Sequence, residues 1–362
     1  MIRGTLGALM MGLGVVVAVH QPVLADPPQR GDASTRMMTT AVRPFVRAAG
    51  PVTGDVAVAR LDMGAWDGAR GATGPVVLER FPLPGGREVD LELERFSVVG
   101  AGTRFVVVRE GGEEAALEFD PASVALFRGR ARGYPASRVF LSVAPTGSTA
   151  RIDLGPGEGR YLMTDRSSAA APLREGEVAV FAARAGGGLG LPVPMCGVAL
   201  REGHEAEDVD DAPREAPPPL DPRGVGPILG LRQLQLAVDT DNEYFNLFGN
   251  AEEATAYVVQ LYGAVSDIYI RDVNTRIELT FVRLWETPSD PYNGDNLLLA
   301  LQARWTPGML PGVPRDAVQL LSGRRNITPA GEAWLSALCT QGYSWGAYVL
   351  GDFFDPETPH ST

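Results

Sequence analysis

The sequence is poor in the residues that most often hold a metal ion. Its 362 residues include three histidines, His20, His204 and His360, and two cysteines, Cys196 and Cys339. Two cysteines so far apart do not make the disulfide framework of a small secreted domain, although they could pair with each other. After the N-terminal region, no apolar run reaches the roughly 18 residues that a membrane-spanning helix needs.

Positive charge is also in deficit. The chain has 32 Lys and Arg residues against 44 Asp and Glu residues, for a formal net charge of −12. This balance argues against a nucleic-acid partner, because phosphates require a basic face, and against anionic lipid surfaces. The apolar share of 45% is ordinary for a globular protein, and the length is sufficient for two domains.

The first 25 residues have the pattern of an export signal. Arg3 supplies a positive charge, Leu6 to Val19 form a short apolar core, and Val23-Leu24-Ala25 places small residues at a cleavage site. We therefore expect cleavage after Ala25 and a secreted or periplasmic protein. A membrane contact is expected only if this signal stays uncleaved.

Residues 26–200 are predicted to form an antiparallel, β-rich module that resembles a sandwich or barrel. Short strand-like runs, such as Phe105–Arg109, Arg138–Val143 and Glu177–Phe181, alternate with turns that contain Gly or Pro. The acidic residues on these runs are interpreted as a solvated face, since they form no catalytic constellation.

Residues 201–227 are predicted to be an acidic, proline-rich linker. This segment is too polar and too rich in proline to pack, and such segments are natural sites of proteolysis. The pair His204-Glu205 begins like the zinc motif His-Glu-x-x-His. The second histidine would fall at position 208, however, where the chain has Asp208.

Residues 228–362 alternate between strand and helix patterns, which predicts a largely parallel sheet covered by helices. Ile277, Leu279 and Phe281 are expected to share one face of a strand. Asn250 is expected to cap a helix. Its apolar stripe is predicted to comprise Ala254, Tyr257, Val258, Leu261, Val265, Ile268 and Tyr269. Further elements are predicted at Leu234–Val238, Leu297–Trp305, Val318–Ser322 and Ala333–Ala337.

Cys196 is the most informative single position. It lies in the run Leu191-Pro-Val-Pro-Met-Cys-Gly-Val-Ala-Leu200, between proline-stiffened backbone and the acidic linker. A thiolate presented in this way could occupy the open coordination position of a catalytic zinc and keep a hydrolase latent. The alternatives are a buried apolar cysteine or one half of a disulfide.

Several segments, in the same order, resemble the secreted zinc endopeptidases of the reprolysin/ADAM type, a branch of the metzincins. Pro194–Val198 resembles the family's cysteine-switch signature Pro-Lys-Met-Cys-Gly-Val. Arg315–Gly323 is similar to His-Asp-x-Ala-x-Leu-Leu-Thr-Gly, and Gly331–Cys339 resembles the edge strand Gly-x-Ala-Tyr-x-x-x-x-Cys. Four further segments resemble consecutive elements of the family. Leu234–Asp239 resembles the first strand, and Tyr257–Tyr269 the first long helix. Ile277–Trp285 resembles the next strand, and Trp285–Pro291 the turn that follows it.

The resemblance implies a latency role for Cys196, zinc as the cofactor, and a protein or peptide substrate. In the family, zinc is held by a helix with His-Glu-x-x-His-x-x-Gly-x-x-His, whose first two histidines share one helix face and whose Glu is the general base. That motif is not among these residues. We therefore expect an incomplete α/β zincin-like (metzincin) subdomain, truncated before the motif, with no zinc site and no catalytic residue in this chain.

Three smaller expectations follow from the resemblance. Calcium is possible through Asp316, although Gln233 stands where relatives with a calcium site often place Glu. Cys339 lacks its expected later partner, so we expect it to be free, paired with Cys196, or exposed for exchange with another molecule. Without the metal-binding helix, an apolar patch is expected to be exposed near the aromatic residues Trp334, Tyr343, Trp345 and Tyr348.

Two functions remain open from the sequence. The first is the exported proform of a zinc-dependent metalloendopeptidase, in which these residues alone are inactive. The second is a non-catalytic secreted protein, built from a protease prodomain, that binds or inhibits a partner.

Overall fold

The computed structural model describes residues 39–48, 56–165, 172–183, 196–199, 230–305, 312–324, 331–334 and 345–350. The strands of the N-terminal part are β1 Thr40–Val42, β2 Phe45–Arg47, β3 Val56–Leu61, β4 Val76–Pro82, β5 Glu88–Phe96, β6 Val99–Val108, β7 Glu114–Ala116, β8 Ala125–Ala131, β9 Arg138–Ala144, β10 Gly147–Asp153, β11 Arg160–Thr164, β12 Glu177–Ala183 and β13 Cys196–Ala199. The later strands are β14 Arg232–Thr240, β15 Thr275–Trp285, β16 Ala317–Ser322, β17 Gly331–Trp334 and β18 Trp345–Leu350. The helices are α1 Met63–Arg70, α2 Asn242–Asn246, α3 Ala251–Val273 and α4 Leu297–Trp305.

Ten of the N-terminal strands form one curled sheet in the order β1-β4-β5-β8-β9-β10-β11-β12-β3-β2. Apart from the parallel pair β1/β4, neighbouring strands are antiparallel. The two ends of the sheet approach each other: β2 lies against β4, and Arg47 Nη2 donates to the carbonyl oxygens of Leu83 (3.0 Å) and Arg87 (2.9 Å). The β-rich N-terminal region predicted from the sequence is thereby confirmed.

The interior of this curl is an apolar core closed by helix α1. Trp66 projects from α1 into the core, and its ring packs edge-on against Phe127 at a centroid distance of 5.4 Å. Phe45 and Phe81 make a second edge-on pair at 5.1 Å. Such geometry places the positive ring edge of one aromatic over the negative face of the other, which adds to the free energy gained by burial.

The second sheet has six strands in the order β18-β16-β14-β15-β6-β7. All pairs are parallel except β6/β7, which is an antiparallel hairpin. Helix α3 and helix α4 pack in different apolar clusters on opposite faces of this sheet, which is the arrangement expected for a parallel sheet. The α/β C-terminal part predicted from the sequence is confirmed.

The run Phe105–Arg109 forms a strand as predicted, but its sheet differs from the one expected. Strand β6 pairs with β15, whose residues follow the acidic segment 201–227. The six-stranded sheet is therefore built from residues on both sides of that segment. The described residues all fall in one compact unit, Met38–Thr362.

Helix α3 begins at the predicted cap but buries a broader surface than the predicted stripe. The Asn250 Oδ1 accepts from the Glu253 backbone N–H at 2.8 Å. Tyr269, predicted to be part of the stripe, is 41% exposed, whereas Tyr262 and Gly263 are buried. The reason is that α3 lies between β15 and strands β8 and β9 of the ten-stranded sheet, so two faces of the helix are covered.

Strand β15 contains a bulge that corrects one predicted orientation. Leu279 is aligned with Leu236 and Phe281 with the next residue, Ala237, so Thr280 is an extra residue in β15. Ile277 and Leu279 therefore pack in the cluster with α3, while Phe281 packs with α4, 5.5 Å from the ring of Trp305. The prediction that all three residues share one face was wrong, because a one-residue insertion reverses the alternation.

Within the described residues, no helix combines the length and the hydrophobicity required to cross a membrane.

Candidate functional site

The carboxyl ends of the parallel strands β14, β15 and β16 form the candidate site. Ligands of open α/β sheets bind outside this edge of the sheet. Here β14 ends in Asp239 and Thr240 and continues into Asp241, while β16 ends in Ser322. These four polar side chains are buried, and they lie together at one edge of the sheet.

Asp239 is the centre of a closed hydrogen-bond network. Its carboxylate accepts from four side-chain groups: Arg283 Nη1 at 3.0 Å, Trp285 Nε1 at 3.0 Å, Tyr292 Oη at 2.7 Å and Trp305 Nε1 at 2.8 Å. The backbone N–H of Thr240 donates to the same carboxylate at 3.1 Å. Five donors offset the cost of removing this charge from water. The network holds the ends of β14 and β15 to helix α4, and it leaves Asp239 no role as a metal ligand or a general base.

Asp241 joins the end of β16 to the start of helix α2. Its carboxylate accepts from the N–H groups of Tyr244 at 2.7 Å and Gly323 at 2.9 Å, and from the hydroxyl of Ser322. Burial raises the pKa of Asp241 to about 6, because desolvation outweighs the hydrogen bonds that favour the charged form. A Cβ on Gly323 would overlap the backbone at Glu243, so this junction requires glycine.

Asp290 lies in the turn after β15, within the segment that resembles the family's tryptophan-led turn. It accepts from the N–H groups of Tyr292 at 2.8 Å and Asn242 at 3.3 Å. Asn242 in turn donates from Nδ2 to the Trp285 carbonyl at 3.2 Å. Burial raises the pKa of Asp290 as well, since desolvation again exceeds the effect of these hydrogen bonds. The turn is therefore fixed to the N-terminus of α2.

The backbone of Cys196 lies beside the strand that resembles the family's edge strand. Strands β13 and β17 run parallel, with Cys196 aligned with Gly331 and Ala199 with Trp334. Strand β17 lies against β18, and β18 lies against α4. The structure thus brings together two of the segments that carry the family resemblance. The latency role of the Cys196 thiol stays a prediction.

Asp316, the predicted calcium ligand, and Gln233, which stands at the position where relatives often have Glu, already have partners. The Asp316 Oδ2 accepts from the Gln235 N–H at 2.8 Å, which fixes the start of β16 to β14. Gln233 Oε1 accepts from the guanidinium of Arg276, including a bond of 3.0 Å from Nε. Calcium binding at Asp316 remains a prediction, and it would have to compete with this cation for the Gln233 oxygen.

Several predicted features fall outside the described residues. They include the three histidines, Cys339 and the side chains of the predicted aromatic patch. Within the described residues, no group of three or more His, Cys, Asp or Glu side chains is placed to hold a metal ion. The buried carboxylates Asp239 and Asp241 accept hydrogen bonds instead. These residues do not fit a catalytic zinc, which takes three protein ligands and keeps one position open.

The ion pair between Asp239 and Arg283 was missed by sequence reasoning. A signal for it was present, because Arg283 interrupts the apolar run Phe281-Val-Arg-Leu-Trp285. An arginine in a buried strand requires a buried acid as partner. The sequence alone did not identify that partner, since Asp239 is 44 residues away along the chain.

No curated protein matches this chain. Residues 232–352 match the Reprolysin (M12B) family of zinc metalloproteases. The matched range begins with β14 and extends past β18, so it contains all the strands of the six-stranded sheet except the hairpin β6–β7. It also contains Asp239, Asp241 and the strand paired with Cys196. The family that residues 232–352 match is the one that the sequence resemblance predicted.

Proposed function

We propose that this chain is the exported proform of a reprolysin-type zinc metalloendopeptidase. In this proposal residues 26–200 serve as the prodomain, residues 201–227 as the cleavable linker, and residues 228–362 as an incomplete zincin-like part of the catalytic domain. The observation that carries the proposal is the pairing of β13, which begins at Cys196, with β17 inside the range that matches the family.

This pairing supports a latency role by its geometry. An extended segment added to a sheet strand is a recurring mode of peptide recognition, in which main-chain hydrogen bonds fix the register. Here the register aligns Cys196 with Gly331. A thiolate held at a fixed register can be a ligand for a metal bound nearby, whereas a thiol on an unpaired segment would have to be ordered first.

In this proposal the residues of this chain supply the scaffold and the latency segment but not the ligands for the zinc ion. Its three histidines do not form the His-Glu-x-x-His pattern, and the described side chains contain no group of three metal ligands. The proposal therefore assigns no peptide hydrolysis to these 362 residues alone.

The proposal is tested by restoring the missing motif. The gene beyond the codon for Thr362, read in all three forward frames, is expected to encode His-Glu-x-x-His. The protein extended by that segment is expected to be latent, and Cys196→Ala should activate it without cleavage of the linker. Cys339→Ala in the same protein is the matched control and should leave it latent. Absence of the motif in every frame, or equal latency of the Cys196→Ala protein, would contradict the proposal.

A second candidate function is inhibition of a separate peptidase. The inventory of three histidines favours it, because a chain without its own zinc site can still present Cys196 to another enzyme. Nanomolar inhibition of a zinc-loaded reprolysin-type peptidase, lost in Cys196→Ala, is the expected result for this function. An unchanged rate of the added peptidase would exclude it.

The proposed location is outside the cytoplasm. The support for it is the pattern of Arg3, the apolar core and Ala25. Sequencing the N-terminus of the mature protein is expected to give Asp26 as the first residue, and recovery of Met1 in the exported fraction would contradict cleavage.

A further inference from the structure

The edge of the reprolysin-type sheet is completed by a hairpin from the proposed prodomain. Strand β6 pairs in parallel with β15 over two stretches, and β7 adds to β6 as the outermost strand. Between Phe281 and Trp285, each residue of β15 is aligned with one residue of Arg104–Val108. The hairpin β6–β7 is thus an integral part of the sheet and not a segment lying on its surface.

Hydrogen bonds tie the hairpin to β15 at both ends. At one end, Leu279 N–H donates to the Val98 carbonyl at 2.7 Å, and the Thr103 hydroxyl donates to the Leu279 carbonyl at 2.6 Å. At the other end, Glu286 N–H donates to the Val108 carbonyl at 3.0 Å. Removing the hairpin would leave these backbone groups of β15 without partners, which is costly wherever water cannot reach them.

A buried charge also depends on the hairpin. Glu114, on β7, forms an ion pair with Arg283 Nη2 at 2.7 Å and with Arg304 Nη2 at 3.2 Å. The side chain of Arg283 is fully buried, and its other partner is Asp239. Without Glu114, the guanidinium would keep one carboxylate partner and lose the other. Only the Arg283 side of this pair is buried, because the Glu114 side chain is 35% exposed.

The apolar core and helix α3 make a second attachment. Phe105 and Val107 from the hairpin pack in the same cluster as Leu279 and Val282 from β15. On α3, a Cβ at Gly263 would stand 2.7 Å from a methyl carbon of Leu126, so the helix approaches the ten-stranded sheet closely. Two hydrogen bonds accompany this contact: Gln260 Nε2 donates to the Gly147 carbonyl at 3.1 Å, and the Thr146 hydroxyl donates to Gln260 Oε1 at 3.3 Å.

We propose that residues 39–183 remain bound to the reprolysin-type part after the chain is cut within 201–227. Cleavage then converts a covalent proform into a non-covalent complex of two fragments, and release requires the loss of two strands from a sheet. The reprolysin-type part is consequently not an autonomous domain: it takes its edge strands and one partner of its buried arginine from the N-terminal module. This inference deepens the proposed function, since it describes how the proposed prodomain is retained.

The test uses the mature chain, residues 26–362, with residues 205–212 replaced by the recognition sequence of a site-specific protease. After complete cutting, the two fragments are expected to elute together from a size-exclusion column at micromolar concentration, in low salt and in 1 M salt. Separate elution of two folded fragments, with circular dichroism that sums to that of the uncut protein, would overturn the proposal. The assay measures no peptidase activity, so it can fail while the proposed function stands, and the reverse also holds.

Substitutions on the hairpin distinguish specific pairing of the hairpin with β15 from non-specific association of the two fragments. Glu114→Gln removes the negative charge beside Arg283 and Arg304. It is expected to speed dissociation of the cut complex about tenfold, because Arg283 loses an ion pair and the hydrogen bond from Arg304 Nη2 loses its charged acceptor. Val107→Asp places a charge in the shared core and is expected to separate the cut fragments entirely. Glu110→Gln, at an exposed position between the two strands, is the matched control and should change nothing. Dissociation of Glu114→Gln at the same rate as the control would contradict the role given to the ion pair, even if Val107→Asp fails to fold.

Discussion

The two sheets of this protein differ in where they keep charge. In the ten-stranded sheet, ion pairs such as Arg128–Glu94 lie at the surface, and the Glu94 side chain is 64% exposed. In the six-stranded sheet, Asp239 and Arg283 are both fully buried. The first sheet encloses an apolar core, whereas the second also has a buried ion pair among the polar contacts at the ends of its parallel strands. The candidate site therefore lies in the part of the chain that is most sensitive to the loss of one polar atom.

The largest expected effect is at Asp239. Asp239→Ala leaves Arg283 buried without its carboxylate and removes the acceptor of three further side chains, so we expect a loss of about 3–5 kcal/mol in the free energy of unfolding. Glu94→Ala, the matched change in the ten-stranded sheet, should cost less than about 1 kcal/mol. Urea denaturation of both variants measures the difference. Equal losses would remove the distinction between the two sheets.

The next effect is a dependence of stability on pH that originates in the six-stranded sheet. Because the pKa of Asp241 is raised from 3.8 to about 6, the folded state holds a proton that the unfolded state releases first. Stability should therefore be greatest below pH 4 as far as this group is concerned, and fall by on the order of 3 kcal/mol as pH rises through 6.

Asp241→Asn is the variant that isolates this contribution. Its side-chain oxygen can still accept from the Tyr244 N–H, so the helix cap is kept while the titration is lost. The slope of unfolding free energy between pH 4 and pH 6, measured by thermal denaturation, should become flatter than in the wild-type protein. An unchanged slope would show that another group titrates there.

A smaller effect is expected where β16 ends against α2. Gly323→Ala introduces a Cβ that overlaps the backbone at Glu243, and overpacking of this kind costs about 1–3 kcal/mol. Gly294→Ala is the control, because no atom lies within 4 Å of the Cβ that it would add. A shift of the melting temperature in the first variant alone is the expected result, and equal shifts would contradict the close approach.

The smallest expected effect is the loss of a helix cap, and its cost should be the same in both parts of the molecule. Asp62 caps α1 through the Ala65 N–H at 3.0 Å, and Asn250 caps α3 through the Glu253 N–H at 2.8 Å. Replacing either residue with alanine should cost about 1 kcal/mol, since each leaves one N–H without its acceptor. A much larger loss of unfolding free energy for Asn250→Ala than for Asp62→Ala, measured by urea denaturation, would mean that the α/β part is sensitive at its exposed helix ends as well.

Local patterns predicted most of the elements because they depend on neighbouring residues. The cap at Asn250 and the helix at Leu297–Trp305 are found where the sequence placed them. The bulge at Thr280 was not predicted, because an inserted residue is visible only against a partner strand. The covered second face of α3 was missed for a related reason: its partners, β8 and β9, are more than a hundred residues earlier in the chain.

For the candidate site, too, the sequence identified local segments but not the long-range strand pairing. The sequence singled out Cys196 and Gly331–Cys339 by family resemblance, and the structure aligns Cys196 with Gly331. The sequence did not predict that the hairpin β6–β7 joins the six-stranded sheet, since the apolar run Phe105–Val108 fits a strand of either sheet equally well. Which sheet a strand joins is decided by long-range pairing, and here the pair Glu114–Arg283 adds a specific contact.

The most direct test of the account is a peptide-hydrolysis assay on the purified mature chain, supplied with one equivalent of zinc. We propose that these residues contain the scaffold and the latency cysteine of a reprolysin-type peptidase without the ligands for its metal. This proposal predicts no hydrolysis that a chelator can abolish, in the wild-type chain or in Cys196→Ala. Chelator-sensitive hydrolysis by either protein would contradict it.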